Sequence, residues 1–198
     1  MKPTATPLAR RSFLGTLLGG AAAATILPAP AVFAAADSDA AQETARHNIS
    51  SFRVENWQDH FDNTKKGVIL ADTLSRMVQY WSEDLSIYKV YPSSVPMTDT
   101  LTRRGYTRVV RKVVGPEWRP TANMLKRDPT LPAYVGPGPQ NPLGTHALYL
   151  SWQYYRIHGT NDTRKIGRRS SNGCIGLYNE QIAELFDLAV VGTQVKLI

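Results

Sequence analysis

From residue 67 onward, apolar side chains either alternate with polar ones or fill short blocks. "GVILADT", "MVQYW" and "LSIYKVYP" are three such blocks, rich in β-branched and aromatic residues and separated by "LSR" and "SED". Blocks this short between turn formers are strands, and two successive hairpins join them most simply. "GYTRVVRKVVG" predicts a further strand. So do "YYRIHG" and "HALYLSW", where Ala147, Tyr149 and Ser151 alternate with Leu148, Leu150 and Trp152. The period changes in "NEQIAELFDLAV", which places Ile182, Leu185, Phe186 and Ala189 on one helical face, with Asn179 as N-cap and Glu180 in the first turn. Gly192 ends that run and "TQVKLI" closes as a strand.

Two stretches carry neither period. Between Pro116 and Pro142 lie seven prolines, a density that rules out a helix and a central strand and predicts a long loop. Loops of that length inside a domain tend to carry function. Residues 37–66 are polar and charged; they read as a linker with a short helix near Phe52 to Phe61, and His47 and His60 as solvated side chains. Many strands with one late helix predict a mainly β fold, a sandwich or open barrel with one clear helix near the C-terminus.

The first 36 residues alter the picture of where this domain works. Lys2, Arg10 and Arg11 precede an uncharged run from Ser12 to Ala36, with small residues at Ala34 and Ala36. That is the layout of a cleaved signal peptide, and "RRSFLG" resembles the twin-arginine export signature. An anchor helix would need about 20 apolar residues, whereas this run is rich in Ala and Gly and interrupted by Pro28 and Pro30. The expected organisation is a signal peptide over 1–36, a linker over 37–66 and one domain over 67–198, in a periplasmic protein. Formal charge is +7, of which the leader supplies three, leaving +4. Such a balance suits an anionic cell-wall polymer, or simply solubility, and an exported chain meets no nucleic acid.

Cys174 is the single cysteine, so no internal disulfide can form. An unpaired thiol in an oxidising compartment is buried or used. It lies in "SSNGCIGL", where Gly173 lets the backbone turn sharply and present successive N–H groups to one point, as an oxyanion hole requires. His158, sixteen positions earlier at the end of a predicted strand and followed by Gly159, is the candidate base. A metal site could recruit His146, His158 and Cys174, but no close ligand pair such as HxxxH anchors it, so neither metal nor other cofactor is expected. A serine triad has no GxSxG to rest on.

His158-Gly159-Thr160-Asn161 followed by "IGRRSSNGCIGLYNEQI" resembles the L,D-transpeptidase catalytic domain of the YkuD or ErfK/YbiS type, whose signature is HGT and then, after a loop, S-H-G-C-[IV]-R-[LM]. "NPLGTHALYL" and "VGTQVKLI" are also similar to that family. The resemblance implies a two-step acyl transfer on peptidoglycan stem peptides. Cys174 would attack the L-centre carbonyl of a tetrapeptide stem and release D-Ala. An amine of a second stem, or of an envelope protein's lysine, would then resolve the thioester. It further implies His158 as general base and acid, the Gly159 carbonyl as its orienting group, and the N–H groups of Asn172, Gly173 and Cys174 as the oxyanion hole. Ser171 would belong to the substrate-binding set.

This chain departs from the pattern twice, with Asn172 in place of His and Gly176 in place of Arg. Arg168 or Arg169 is the expected substitute for the missing guanidinium. Gly176 also motivates an alternative, a peptidoglycan-binding relative without turnover. A third reading is a cysteine carboxypeptidase or hydrolase on stem peptides, since water can resolve the same thioester.

Overall fold

The alternating blocks become the ten strands of a curled, mainly β half-barrel with two helices in a computed structural model that describes residues 53–198. The leader, most of the linker and His47 lie outside the described residues. β1 (Val68–Asp72), β2 (Met77–Trp81) and β3 (Tyr88–Pro92) form the two predicted antiparallel hairpins. Their turns place Arg76 and Leu85 in the left-handed region, at φ 58° and 61°. In the second turn the Asp84 carboxylate accepts from the Ser82 and Ser86 hydroxyls, the local bonding that lets polar residues close a tight turn.

β5 (Gly105–Val114) is the longest strand and pairs with β6 (His146–Leu150), which pairs with β7 (Arg156–His158). β7 then runs parallel to the two-residue β9 (Ile175–Gly176). β10 (Gln194–Leu197) inserts between β1 and β5, so the eight-stranded order is β3-β2-β1-β10-β5-β6-β7-β9. A small second sheet joins β4 (Val95–Pro96) to β8 (Arg169–Ser171). The concave face packs Ile69, Val78, Val109, Leu148, Ile157, Ile175 and Val195 against the late helix, whose Ile182 and Leu185 are fully buried. Each such side chain contributes about 1.5–3 kcal/mol by leaving water.

Five expectations are corrected. The proline-rich segment contains a helix after all, α1 (Ala122–Arg127), because Pro120 and Pro129 bracket a proline-free run and Thr121 caps it by accepting from Met124 N–H. In the late helix, α2 (Asn179–Leu188), the N-cap is Tyr178 without a side-chain bond, and Asn179 is the first helical residue. The short helix expected near Phe52 to Phe61 is a 3-10 turn, Trp57–Asp59. Residues 53–61 dock rather than dangle: Phe61 is buried against Val68, Leu70 and Trp81, and buried Gln79 accepts from Glu55 N–H and donates to the Arg53 carbonyl. That second layer explains why β1 and β2 are buried on both faces instead of alternating. It also explains His60, which is not solvated but sits 3.3 Å from Glu55.

Candidate active site

β7 and the segment leading into β9 bring the predicted pair together. Parallel pairing sets Ile157 beside Ile175 and His158 beside Gly176, and Leu177 N–H donates to the His158 carbonyl at 2.8 Å. The side chains of His158 and Cys174 line one cavity of about 500 Å³, roofed by the proline-rich segment and α1. Trp118, Met124 and Leu131 from that roof supply an apolar wall.

The imidazole is held in one orientation. His158 is 9% exposed, and its Nδ1 lies 2.5 Å from the Gly159 carbonyl oxygen. A ring nitrogen facing a carbonyl carries the hydrogen, so Nε2 is the acceptor. The Gly159 peptide is itself clamped: its N–H donates to the His146 carbonyl at 3.1 Å. Asn179 Oδ1 accepts from the Thr145 and Thr160 N–H groups at 3.2 Å each, while its Nδ2 donates to the Thr160 carbonyl at 3.0 Å. Asn179 therefore spends its amide on the histidine loop, which is why it does not cap its helix. Gly144, at φ +63°, has no room for a Cβ against the Thr160 N and Gly159 C atoms, so this crossing admits only glycine. Three hydrogen bonds at about 1 kcal/mol each make Asn179→Ala cost about 2–3 kcal/mol. Urea unfolding checks this; a loss below about 0.5 kcal/mol would show that the clamp contributes little.

Cys174 is half-buried, and its S–H donates to the Tyr154 carbonyl at 3.3 Å. Tyr154 presents that carbonyl from φ 67°, an unusual conformation for a tyrosine and one held by the tight β6–β7 connection. Gly173 adopts φ +129°, open only to glycine. Ser171 Oγ accepts from Gly173 N–H at 3.3 Å and donates to the Cys174 carbonyl, pinning the loop on both sides of the thiol. Asn172, where the family signature has His, accepts from Arg127 of α1 and so ties the roof to the thiol loop.

The cavity is cationic. Arg119, Arg127, Arg156 and Lys165 line it, against one acid, Asp128, whose carboxylate already accepts from Thr130. Burial pushes the His158 pKa down to about 4, with Arg156 and Lys165 adding to the effect and the Gly159 carbonyl opposing it. Burial raises the Cys174 pKa, against which the charge of Arg156 acts. Thiol and imidazole thus rest neutral at neutral pH. Because His158 binds a proton less readily folded than unfolded, its contribution to stability is complete above about pH 6.5 and is lost as pH falls toward 4. The loss is on the order of 3 kcal/mol. Thermal melts across pH 4–7 should slope downward on acidification in the wild type and more shallowly in His158→Gln; parallel curves would contradict the burial argument.

The remaining expected site residues are dispersed. Ser171 lines the cavity, but its hydroxyl is engaged within the loop. Neither Arg168 nor Arg169 lines it: Arg168 is exposed, and Arg169 donates to Asp99 at 2.8 Å, outside the cavity. His146 lies away from the thiol, its ring 4.9 Å from that of Phe186. Among the described residues no group of three His, Cys, Asp or Glu side chains could hold a metal ion. Arg156, which does line the cavity, is not singled out by the sequence: alternation from His158 gives its face but not its neighbour across the sheet.

Solved L,D-transpeptidases share this curled-sheet fold. L,D-transpeptidase 3 from Mycobacterium tuberculosis superposes with a TM-score of 0.56 at 15% identity, over 67% of this chain and 61% of that one. The L,D-transpeptidase from Mycobacterium smegmatis gives 0.53 at 19%, over 67% and 58%. This chain belongs to the YkuD family, the L,D-transpeptidase catalytic domain, a family of transferases whose model matches residues 66–197. It is 53% identical to a putative L,D-transpeptidase of Fuscovulum blasticum, from the ATP synthase subunits region, over 96% of this chain and 98% of that protein. It is 39% identical to the probable L,D-transpeptidase ErfK/SrfK of Escherichia coli, over 69% of this chain and 45% of the relative, so it spans about half the length of that protein.

Proposed function

We propose that this protein is a periplasmic peptidoglycan L,D-transpeptidase working through Cys174 and His158. The observation that best supports the reading is that a buried, orientation-fixed imidazole and the lone thiol open onto one cationic cavity. His158 Nε2 takes the S–H proton as sulfur attacks the L-centre carbonyl of a tetrapeptide stem. The oxyanion is received by backbone N–H groups of the Asn172–Cys174 turn, the Gly173 N–H leaving Ser171 Oγ to take part. Collapse breaks the C–N bond to D-Ala, whose nitrogen receives the proton from the imidazolium, leaving a thioester. An amine, from a second stem or from an envelope protein's lysine, attacks in turn; His158 accepts its proton and returns one to sulfur as the thioester opens. Neutral resting partners suit this general-base route, in which the charges form only as the carbonyl is attacked. Cationic side chains around the cavity suit a carboxylate-bearing stem.

The organisation proposed with it is residues 1–36 as a cleaved export signal, 37–66 as a connecting segment and 67–198 as the catalytic domain. The periplasmic setting rests on that leader. Intact-mass measurement of the wild type after incubation with a tetrapeptide stem tests the function. An added mass equal to the donor minus D-Ala is expected, and no adduct, where a related L,D-transpeptidase acylates under the same conditions, rejects the reading.

A further inference from the structure

Gly176 stands where the family signature has Arg, and a side chain there would require the Ser94 hydroxyl to give way. A Cβ at 176 would collide with Ser94 Oγ, because Ser94 and Gly176 exchange main-chain hydrogen bonds at 2.8 and 3.1 Å. A guanidinium nonetheless reaches the cavity from the neighbouring strand. β7 pairs in parallel with β9, His158 beside Gly176 and Ile157 beside Ile175, so one step back sets Arg156 beside Cys174. Arg156 and His158, two apart on one strand, face the same side, and both line the cavity. The cation has therefore moved to the diagonal corner of a four-residue patch, from beside the imidazole to beside the sulfur.

The rest of that cross-sheet row fixes it. Tyr149 pairs with Arg156 on β6, and Arg111 pairs with Tyr149 on β5. The Tyr149 ring lies 4.8 Å from the Arg156 guanidinium and 4.0 Å from that of Arg111, a cation–π–cation row ending at the thiol. No carboxylate pairs with Arg156 in an ion pair among the described residues, and its Nε is buried without a hydrogen-bond partner. We propose that Arg156 is the nucleophile-activating cation of this site, stabilising the Cys174 thiolate in place of the guanidinium that position 176 lacks. Main-chain N–H, side chain and charge of Arg156 all favour the ionised thiol, against the effect of burial. The other ionisable groups facing the sulfur do not duplicate it. His158 is neutral, and Tyr155 sits nearby as an un-ionised phenol whose pKa is raised by burial. Lys165 comes from the turn after β7, and Arg119, Arg127 and Asp128 from the roof, with Arg127 committed to Asn172.

The inference depends on the proposed function only in taking Cys174 as the nucleophile, and its test needs no peptidoglycan. Alkylation of the single thiol by iodoacetamide, in which sulfur displaces iodide, is followed against pH in the full chain. In Arg156→Gln the midpoint of the profile should move up by about one pH unit or more, since an adjacent opposite charge is worth roughly that much. Arg156→Lys, which keeps the charge, should recover most of the shift. Equal profiles for wild type and Arg156→Gln overturn the proposal. If Arg156→Gln does not fold, Tyr149→Leu, which frees the guanidinium's seat without removing the charge, carries the test: a midpoint within about 0.2 pH unit of the wild type overturns the proposal. A wild type that fails to acylate while its thiol still depends on Arg156 refutes the transpeptidase reading and leaves this one standing.

Discussion

Cys174→Ala is expected to leave no covalent adduct with a tetrapeptide stem and to reduce donor turnover by about 1,000-fold or more. Nothing else in the chain can replace the lost atom, because no second cysteine exists and the hydroxyl nearest in sequence, on Ser171, is already donated to the Cys174 carbonyl. The fold should survive. Losing the S–H bond to the Tyr154 carbonyl costs about 1 kcal/mol, and the residue is only half-buried. Intact mass and circular dichroism together decide the matter: a retained adduct on a folded alanine variant would place the nucleophile elsewhere.

His158→Gln should slow thioester formation by about 100- to 10,000-fold. Glutamine has near-native bulk and can still donate toward the Gly159 carbonyl, but it cannot accept the thiol's proton. A purely structural histidine would give the same loss at every pH. A general base predicts that the deficit narrows as pH rises and the thiol ionises by itself. A deficit constant from pH 7 to about 9.5 would therefore assign His158 a structural task. The clamp on its loop adds a second signature, since Asn179→Ala should lower activity as well as stability, having released the carbonyl that orients the ring.

The strands were legible because their period is local. "HALYLSW" alternates, "GVILADT" is apolar throughout, and both patterns survive in β6 and β1. Only the second layer over β1, contributed by Phe61 and Trp57, was hidden, because those residues sit in a polar stretch with no period of its own. The helix α1 was missed because a high count of prolines says nothing about their spacing; one proline-free run with a threonine before it suffices. His158 and Cys174 were legible from the glycines beside them and from the family signature. Arg156 was not, because alternation tells which face a side chain takes but not what lies across from it. The partner is set by a parallel register between strands eighteen positions apart. Arg168 and Arg169 lie nearer the thiol in sequence, but Arg168 is exposed and Arg169, in β8, donates to Asp99.

β10 touches both halves of the sheet. Three strands on one side and four on the other are joined through it alone in the eight-stranded order, by Val68 beside Gln194 and by Val195 beside Thr107. Those contacts join residues 126 and 88 positions apart in the chain, and the entropy of closing such loops must be lost before any ladder bond repays it. Refolding of this domain should accordingly be slow and all-or-none, with the hairpin half and the thiol-bearing half assembling as one event when the bridging strand finds its slot.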